Sequence, residues 1–154
     1  MAAILLAALP ALADAPLPPP ATVRALSPDG SCLVTAALGP ARIIVQKRAD
    51  PDRILWSLPF WSPNLLPGKD CAVLGAGYDR GSLLVLAEKA PDTVVMTFYR
   101  DGGIVRLVRL GDLYTDLAVL PRTASHWRWH DGVQWSGQTW TVRTVDGRTL
   151  SFTP

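Results

Sequence analysis

The clearest pattern of hydrophobic and polar positions lies between Ser82 and Leu110, where apolar side chains recur with the two-residue period of β-strands. In the strand predicted over 93–100, one face carries Val94, Met96 and Phe98. Asp101-Gly102 is a strong hairpin signal and leads into a second strand over 103–110. Upstream, Leu83–Ala87 is apolar on both faces, as in a strand buried on both sides. The pattern predicts a three-stranded meander.

The turn decides how the last two strands of this meander pair. A two-residue turn sets Phe98 opposite Val105 and makes one face wholly apolar through its middle. A three-residue loop shifts the pairing by one position and sets Phe98 against Arg106. The apolar face favours the first register.

The rest of the chain also has the pattern of β-sheet, with a weak internal repeat. Strands are predicted over 42–47 and 53–58, with Gly, Pro and Asp turn signals around them. A turn, a cysteine and a short apolar run occur twice, with Cys32 and Cys71 39 residues apart. This spacing is close to the ~40–45 residues of a four-stranded propeller blade. We predict one all-β domain over 23–154, with blade-like units at about 23–62, 63–113 and 122–154.

Three segments of the chain are similar to segments of known proteins. The turn Ser27-Pro28-Asp29-Gly30, the run YRDGGIVRLVRLGDL from Tyr99 and the closing TVDGRTLSF resemble uncharacterised secreted bacterial proteins with propeller-repeat-like sheets. The resemblance implies a fold type and no activity, because its motifs are turns and strands. The chain suffices for only about three blades, fewer than a closed ring uses. Stacked antiparallel meanders, as a partial propeller or a β-sandwich, are therefore expected. Exposed edge strands would pair with a protein partner or a second copy.

The N-terminus has the features of an export signal. Ala2–Leu12 is apolar, and Ala11-Leu12-Ala13 matches the small-x-small cleavage pattern, which predicts a signal peptide over 1–13. A proline-rich leader follows over 14–22. No Lys or Arg precedes the apolar run, so either the start lies upstream or the signal is atypical; an apolar helix of the fold is the alternative. The run is too short for a membrane span, which needs ~20 residues. A periplasmic or secreted protein is expected.

Composition limits the partners. The chain is 49% hydrophobic and 18% charged, a globular profile. The formal net charge is +2, and the positive residues are scattered along the sequence, so neither nucleic acid nor an anionic membrane is an expected partner. Gly75-Ala76-Gly77 is only a fragment of a dinucleotide fingerprint, and no cofactor is predicted.

Cys32 and Cys71 are the two cysteines of the chain. An exported protein can keep a disulfide between them, and we predict that bond. The alternative is a pair of small buried hydrophobic side chains, because equivalent positions in neighbouring repeats do not always come within bonding distance.

Residues that could support catalysis or metal binding are few. His126 and His130 lie about 13 Å apart if both belong to one strand, too far to share a zinc ion, so no metal is predicted. There is no G-x-S-x-G motif, and Ser125 and His126 are expected to point to opposite faces. We therefore predict no catalytic residue. A small exported hydrolase with an unrecognised site remains the alternative.

Aromatic residues are the remaining candidates for a site. Trp127 and Trp129 fall on one face of a strand, although tryptophans buried between sheets are more common than exposed ones. The predicted ligand-binding residues are Tyr78 and Asp79 together with His126 and Trp129. The favoured function is an exported, non-catalytic binding or structural module.

Overall fold

The computed structural model describes residues 19–77, 83–136 and 138–154, which form a stack of antiparallel sheets. In chain order the strands are β1 (Thr22–Leu26), β2 (Cys32–Leu38), β3 (Ala41–Lys47), β4 (Asp50–Leu58), β5 (Leu65–Pro67), β6 (Val73–Gly77), β7 (Leu83–Val85), β8 (Val94–Arg100), β9 (Gly103–Arg109), β10 (His126–Arg128), β11 (Gly132–Ser136), β12 (Thr139–Arg143) and β13 (Thr149–Phe152). The described residues also form a short helix, α1 (Leu110–Leu113), and 3₁₀ turns at Lys69–Cys71, Leu86–Glu88 and Leu117–Val119.

Within the described ranges, the strands form three sheets and one two-stranded ribbon. Sheet I has the order β1-β2-β3-β4, sheet II β5-β6-β8-β9, and sheet III β11-β12-β13, while β7 pairs with β10. The predicted all-β fold class with stacked antiparallel sheets is confirmed. The predicted signal peptide (1–13) and residues 14–18 of the predicted leader lie outside the described residues, and β1 begins at Thr22. The division into propeller blades stays a prediction.

Sheet II lies between two hydrophobic cores because its strands alternate their side chains. On β6, Leu74 and Ala76 belong to the core shared with sheet I, where Val34 and Ile43 are fully buried. The opposite face of sheet II presents Phe98 to the second core, where sheet III contributes Trp140 and Val142. The two-residue period of a strand is what allows one sheet to serve both cores. No helix in the described ranges is long and apolar enough to cross a membrane.

The predicted three-stranded meander is only partly correct. β8 and β9 pair, but β7 pairs with β10, and β6 occupies the position beside β8. The strand predicted over Leu83–Ala87 ends at Val85, because the chain turns into a 3₁₀ helix and leaves Leu86 37% exposed. Within that segment only Leu84 is buried, so a strand buried on both faces is the wrong interpretation.

The β8–β9 hairpin combines both of the registers considered. Arg100 faces Gly103 across the two-residue turn, as predicted, and Asp101 and Gly102 both adopt positive φ. The register then shifts, so that Phe98 faces Arg106. A β-bulge of this kind leaves one residue without a direct partner, and Val105 is 45% exposed instead of completing an apolar face.

The disulfide between Cys32 and Cys71 is confirmed. Their Cα atoms are 5.1 Å apart, and both residues are buried. Cys32 begins β2 of sheet I, and Cys71 ends the 3₁₀ turn that leads into β6 of sheet II. The bond therefore ties two neighbouring sheets together.

Candidate functional site

A cavity of about 220 Å³ lies between sheet II and the chain that follows β10. We call it the Trp129 cavity, and it is lined by residues 63–66, Gly77, Met96, Trp129, His130 and Val133. Most of this lining is apolar, while Asn64 and His130 supply polar atoms. A mainly apolar wall with a few polar groups is typical of ligand-binding cavities.

Gly77 allows the sheet to come close to the segment before β5. A Cβ atom at this position would lie 3.0 Å from Cβ of Asn64 and 3.2 Å from Cε of Met96. The Gly77 amide donates to the carbonyl oxygen of Asn64 at 2.8 Å, and the Ser62 hydroxyl donates to the carbonyl oxygen of Gly77 at 3.0 Å. These bonds hold one wall of the cavity against the end of β6.

A buried tyrosine, Tyr114, fixes the backbone at Trp129. The Tyr114 hydroxyl donates to the Trp129 carbonyl oxygen at 2.5 Å and accepts from the Val145 amide at 3.0 Å. Burial raises the pKa of Tyr114, so this hydroxyl keeps its proton at neutral pH. Trp129 itself is 1% exposed. The backbone at the cavity wall is therefore fixed by two hydrogen bonds through one side chain.

His130 gives the cavity its polar character. Its ring packs edge-on against Trp129, with the ring centroids 4.3 Å apart. Burial lowers its pKa from 6.5 to about 4, although the neighbouring charge of Asp131 acts in the opposite direction. The imidazole is therefore neutral at pH 7. Its Nδ1 atom is buried and has no hydrogen-bond partner among the described residues.

The structure describes two of the four predicted site residues, and one of these two lines the cavity. Trp129 lines the cavity, and Gly77, which also lines it, directly precedes Tyr78 and Asp79 in the sequence. Tyr78 and Asp79 lie outside the described residues. His126 begins β10 and is not among the residues that form the cavity wall.

Ser125 and His126 do not point to opposite faces, and that prediction is wrong. The Ser125 Oγ atom lies 2.7 Å from the His126 Nδ1 atom. Ser125 precedes β10 and belongs to a bend, where the backbone amide of His126 donates to the Thr123 hydroxyl. Strand alternation therefore does not apply between these two positions.

Trp127 and Trp129 have different environments. Trp129 is buried, whereas Trp127 is half-buried under the Lys89 ammonium group, whose Nζ atom lies 3.7 Å from the ring centroid. The Trp127 indole donates to the carbonyl oxygen of Leu86 at 3.3 Å. The ring face of Trp127 is thus already occupied by a cation.

Comparison with protein-family models, curated proteins and solved structures found no match. The resemblance to secreted proteins with propeller-like sheets therefore stays a prediction.

Two contributors to the cavity had no sequence signal of function. His130 was considered only as a metal ligand, because its burial follows from packing against Trp129 and cannot be deduced from its neighbours in sequence. Tyr114 lies between α1 and a loop, outside any periodic pattern. The aromatic cluster at residues 127–130 is the one local sequence signal near the cavity, and it indicates Trp129 alone.

Proposed function

We propose that this chain is an exported, non-catalytic binding module that takes a small, neutral and mainly apolar group into the Trp129 cavity. The observation that carries the proposal is the mainly apolar Trp129 cavity, whose wall includes His130, a residue with a buried Nδ1 atom that lacks a hydrogen-bond partner in the described part of the chain. A buried polar atom without a hydrogen bond is costly, and a ligand whose entry moves the neighbouring side chains enough to reach this nitrogen would recover that cost.

The size of the cavity limits what it can hold. At about 220 Å³ it is smaller than the ~300–1,000 Å³ of most small-molecule sites. It therefore suits one aromatic or branched group, either free or carried on a protein partner. A cationic group is disfavoured by the apolar wall, and an anionic group would find a neutral imidazole in His130.

Export is supported by the disulfide. Bonds of this kind persist mainly in oxidising compartments, and Cys32–Cys71 is buried between two sheets. Together with the signal predicted over 1–13, this supports a periplasmic or secreted location. Pairing through exposed edge strands, which was expected from the sequence, remains part of the proposal.

The test is a titration of the ¹⁵N-labelled protein with indole, phenol and N-acetyl-leucine amide, followed by NMR. We expect saturable shifts at the Trp129 indole and the His130 imidazole. His130→Gln and the cavity-filling Val133→Phe should weaken binding at least tenfold. His126→Gln is the matched control, because it alters the other histidine of the chain, and it should leave binding unchanged. The absence of saturable shifts for all three probes would refute the proposal, as would an equal loss in the control.

A hydrolase is the second candidate, and one observation favours it. The Ser125 hydroxyl and His126 imidazole lie 2.7 Å apart, which is the contact that a serine nucleophile makes with its base. A fluorophosphonate probe distinguishes the two functions. Labelling at Ser125 that disappears in His126→Gln would favour the hydrolase. No labelling above that of Ser125→Ala would favour the binding module.

A further inference from the structure

Two clefts flank the 3₁₀ turn Lys69–Cys71. One has a volume of about 480 Å³ and is bordered by Lys47 and Arg48, next to the disulfide. The other has a volume of about 360 Å³ and is bordered by Lys69 and Arg100. Asp70 lines both, so the clefts meet at this turn. We call the pair of clefts the basic groove.

The groove collects positive charges that are scattered in the sequence. In the described part of the chain, none of these four cations forms an ion pair with a carboxylate, since the two ion pairs found there join Arg128 to Asp131 and Arg148 to Asp146. Asp70 is the one carboxylate among the described residues that line the groove. Arg100 donates to the Pro154 oxygen at 3.2 Å within the second cleft, so the charges available to a ligand are chiefly those of Lys47, Arg48 and Lys69. Three such cations in concave surroundings produce a positive potential that attracts negatively charged ligands.

The turn at the centre of the groove is strained and held in place. Asp70 and Cys71 both have left-handed backbone conformations, with φ of 62° and 61°, although neither is glycine. The Cys32 disulfide fixes Cys71, and the Trp56 indole donates to the Cys71 carbonyl oxygen at 3.0 Å. Strained backbone of this kind is concentrated at functional sites, where the surrounding structure maintains it. The turn at the centre of the groove therefore has a fixed conformation without a ligand.

We infer that the basic groove binds an acidic polysaccharide. Cations lie on both sides of the turn, so the matching ligand carries several negative groups along an extended chain. Trp135 lines the second cleft, and its indole donates to the Leu66 carbonyl oxygen at 2.8 Å, which fixes the ring where it can pack against a sugar. The disulfide favours an oxidising, extracytoplasmic compartment, which supports a saccharide over a nucleic acid as the polyanion.

Isothermal titration of the full chain tests this inference with four probes: oligogalacturonate, heparin oligosaccharide, neutral maltohexaose and a single-stranded DNA oligonucleotide. At least one acidic saccharide should bind, and maltohexaose should not. Preference for oligogalacturonate would assign a carboxylated ligand, and preference for heparin a sulfated one. Binding should weaken at least tenfold when salt rises from about 50 to about 200 mM.

Charge variants locate the site. The double variant Lys47→Gln with Lys69→Gln should weaken saccharide binding at least tenfold. The matched control Arg24→Gln with Arg53→Gln removes two exposed cations of sheet I outside the groove and should change binding less than twofold. His130→Gln should have no effect, which separates this inference from the function proposed for the Trp129 cavity. The inference would be overturned if no acidic saccharide bound, if DNA bound more tightly, or if the control lost as much affinity.

Discussion

Reduction of the Cys32–Cys71 disulfide is the perturbation whose effect follows most directly from the structure. The two cysteines are 39 residues apart in sequence. A cross-link that closes a loop of this length lowers the entropy of the unfolded chain, which stabilises the folded state by about 4 kcal/mol. That free energy corresponds to a factor of about 1,000 in the ratio of folded to unfolded protein.

Comparison of the oxidised protein with the reduced but otherwise unaltered protein isolates this effect. Both sulfurs stay in place, so the core between sheets I and II keeps its side chains. In Cys32→Ala with Cys71→Ala, by contrast, two residues that are 0% and 2% exposed also lose packing. The double variant should therefore be less stable than the reduced protein by a further 1–2 kcal/mol, roughly.

Urea unfolding followed by tryptophan fluorescence measures the three free energies, with the redox state of each sample verified by thiol alkylation and mass spectrometry. The oxidised protein should have the highest midpoint, and the slope of the transition should show whether the unfolded states are comparable. Oxidised and reduced proteins that agree within about 0.5 kcal/mol would refute the entropic reasoning. Free thiols in the native oxidised protein would refute the bond itself.

Three further predictions concern the Trp129 cavity. Between pH 6.5 and 4 the unfolded chain binds a proton at His130 that the folded chain does not, so acid should lower the free energy of unfolding. The full pKa shift corresponds to a loss of about 3 kcal/mol, and about 1–2 kcal/mol is expected because the ring is partly exposed. In urea titrations, His130→Gln should remove this pH dependence. Tyr114→Phe should cost about 1–3 kcal/mol in the same assay, because two buried backbone groups lose their partner. Gly77→Ala should cost about 1–3 kcal/mol through its close contacts, whereas Gly132→Ala, whose Cβ would meet nothing within 4 Å, should leave the urea midpoint nearly unchanged. An unchanged pH profile in His130→Gln, a neutral Tyr114→Phe, or equal effects of the two alanines would contradict the respective argument.

Local signals account for the parts of the fold that could be predicted. The β8–β9 hairpin was found because its period and its Asp101-Gly102 turn lie within one short segment. The pairing of β7 with β10 joins segments about 40 residues apart and has no local signature. The shift that sets Phe98 against Arg106 depends on packing around the sheet, which the two-residue period cannot report.

The candidate sites were less predictable because they depend on tertiary proximity. Trp129 was chosen from an aromatic cluster, yet the cavity also needs Asn64 and Met96 from distant segments. The charges of the basic groove come from three separate places in the sequence, which are Lys47-Arg48, Lys69 and Arg100, so no local cluster indicates them. Burial of His130 and clustering of cations are both consequences of the fold, so neither could be deduced before the sheets were assembled.

The β5–β6 hairpin connects the two proposed sites physically. Asn64 and Gly77 stand at its open end beside the Trp129 cavity, while the strained turn Lys69–Cys71 closes its other end in the basic groove. Leu66 lines the cavity, and its carbonyl oxygen accepts the hydrogen bond from Trp135, which lines the groove. A hairpin with only three residues in β5 has little capacity to absorb distortion at one end. β6 is also held by β8, and the disulfide ties the turn to sheet I, so we expect loss of that bond to alter the basic groove more than the Trp129 cavity, as chemical shifts of the reduced protein would show.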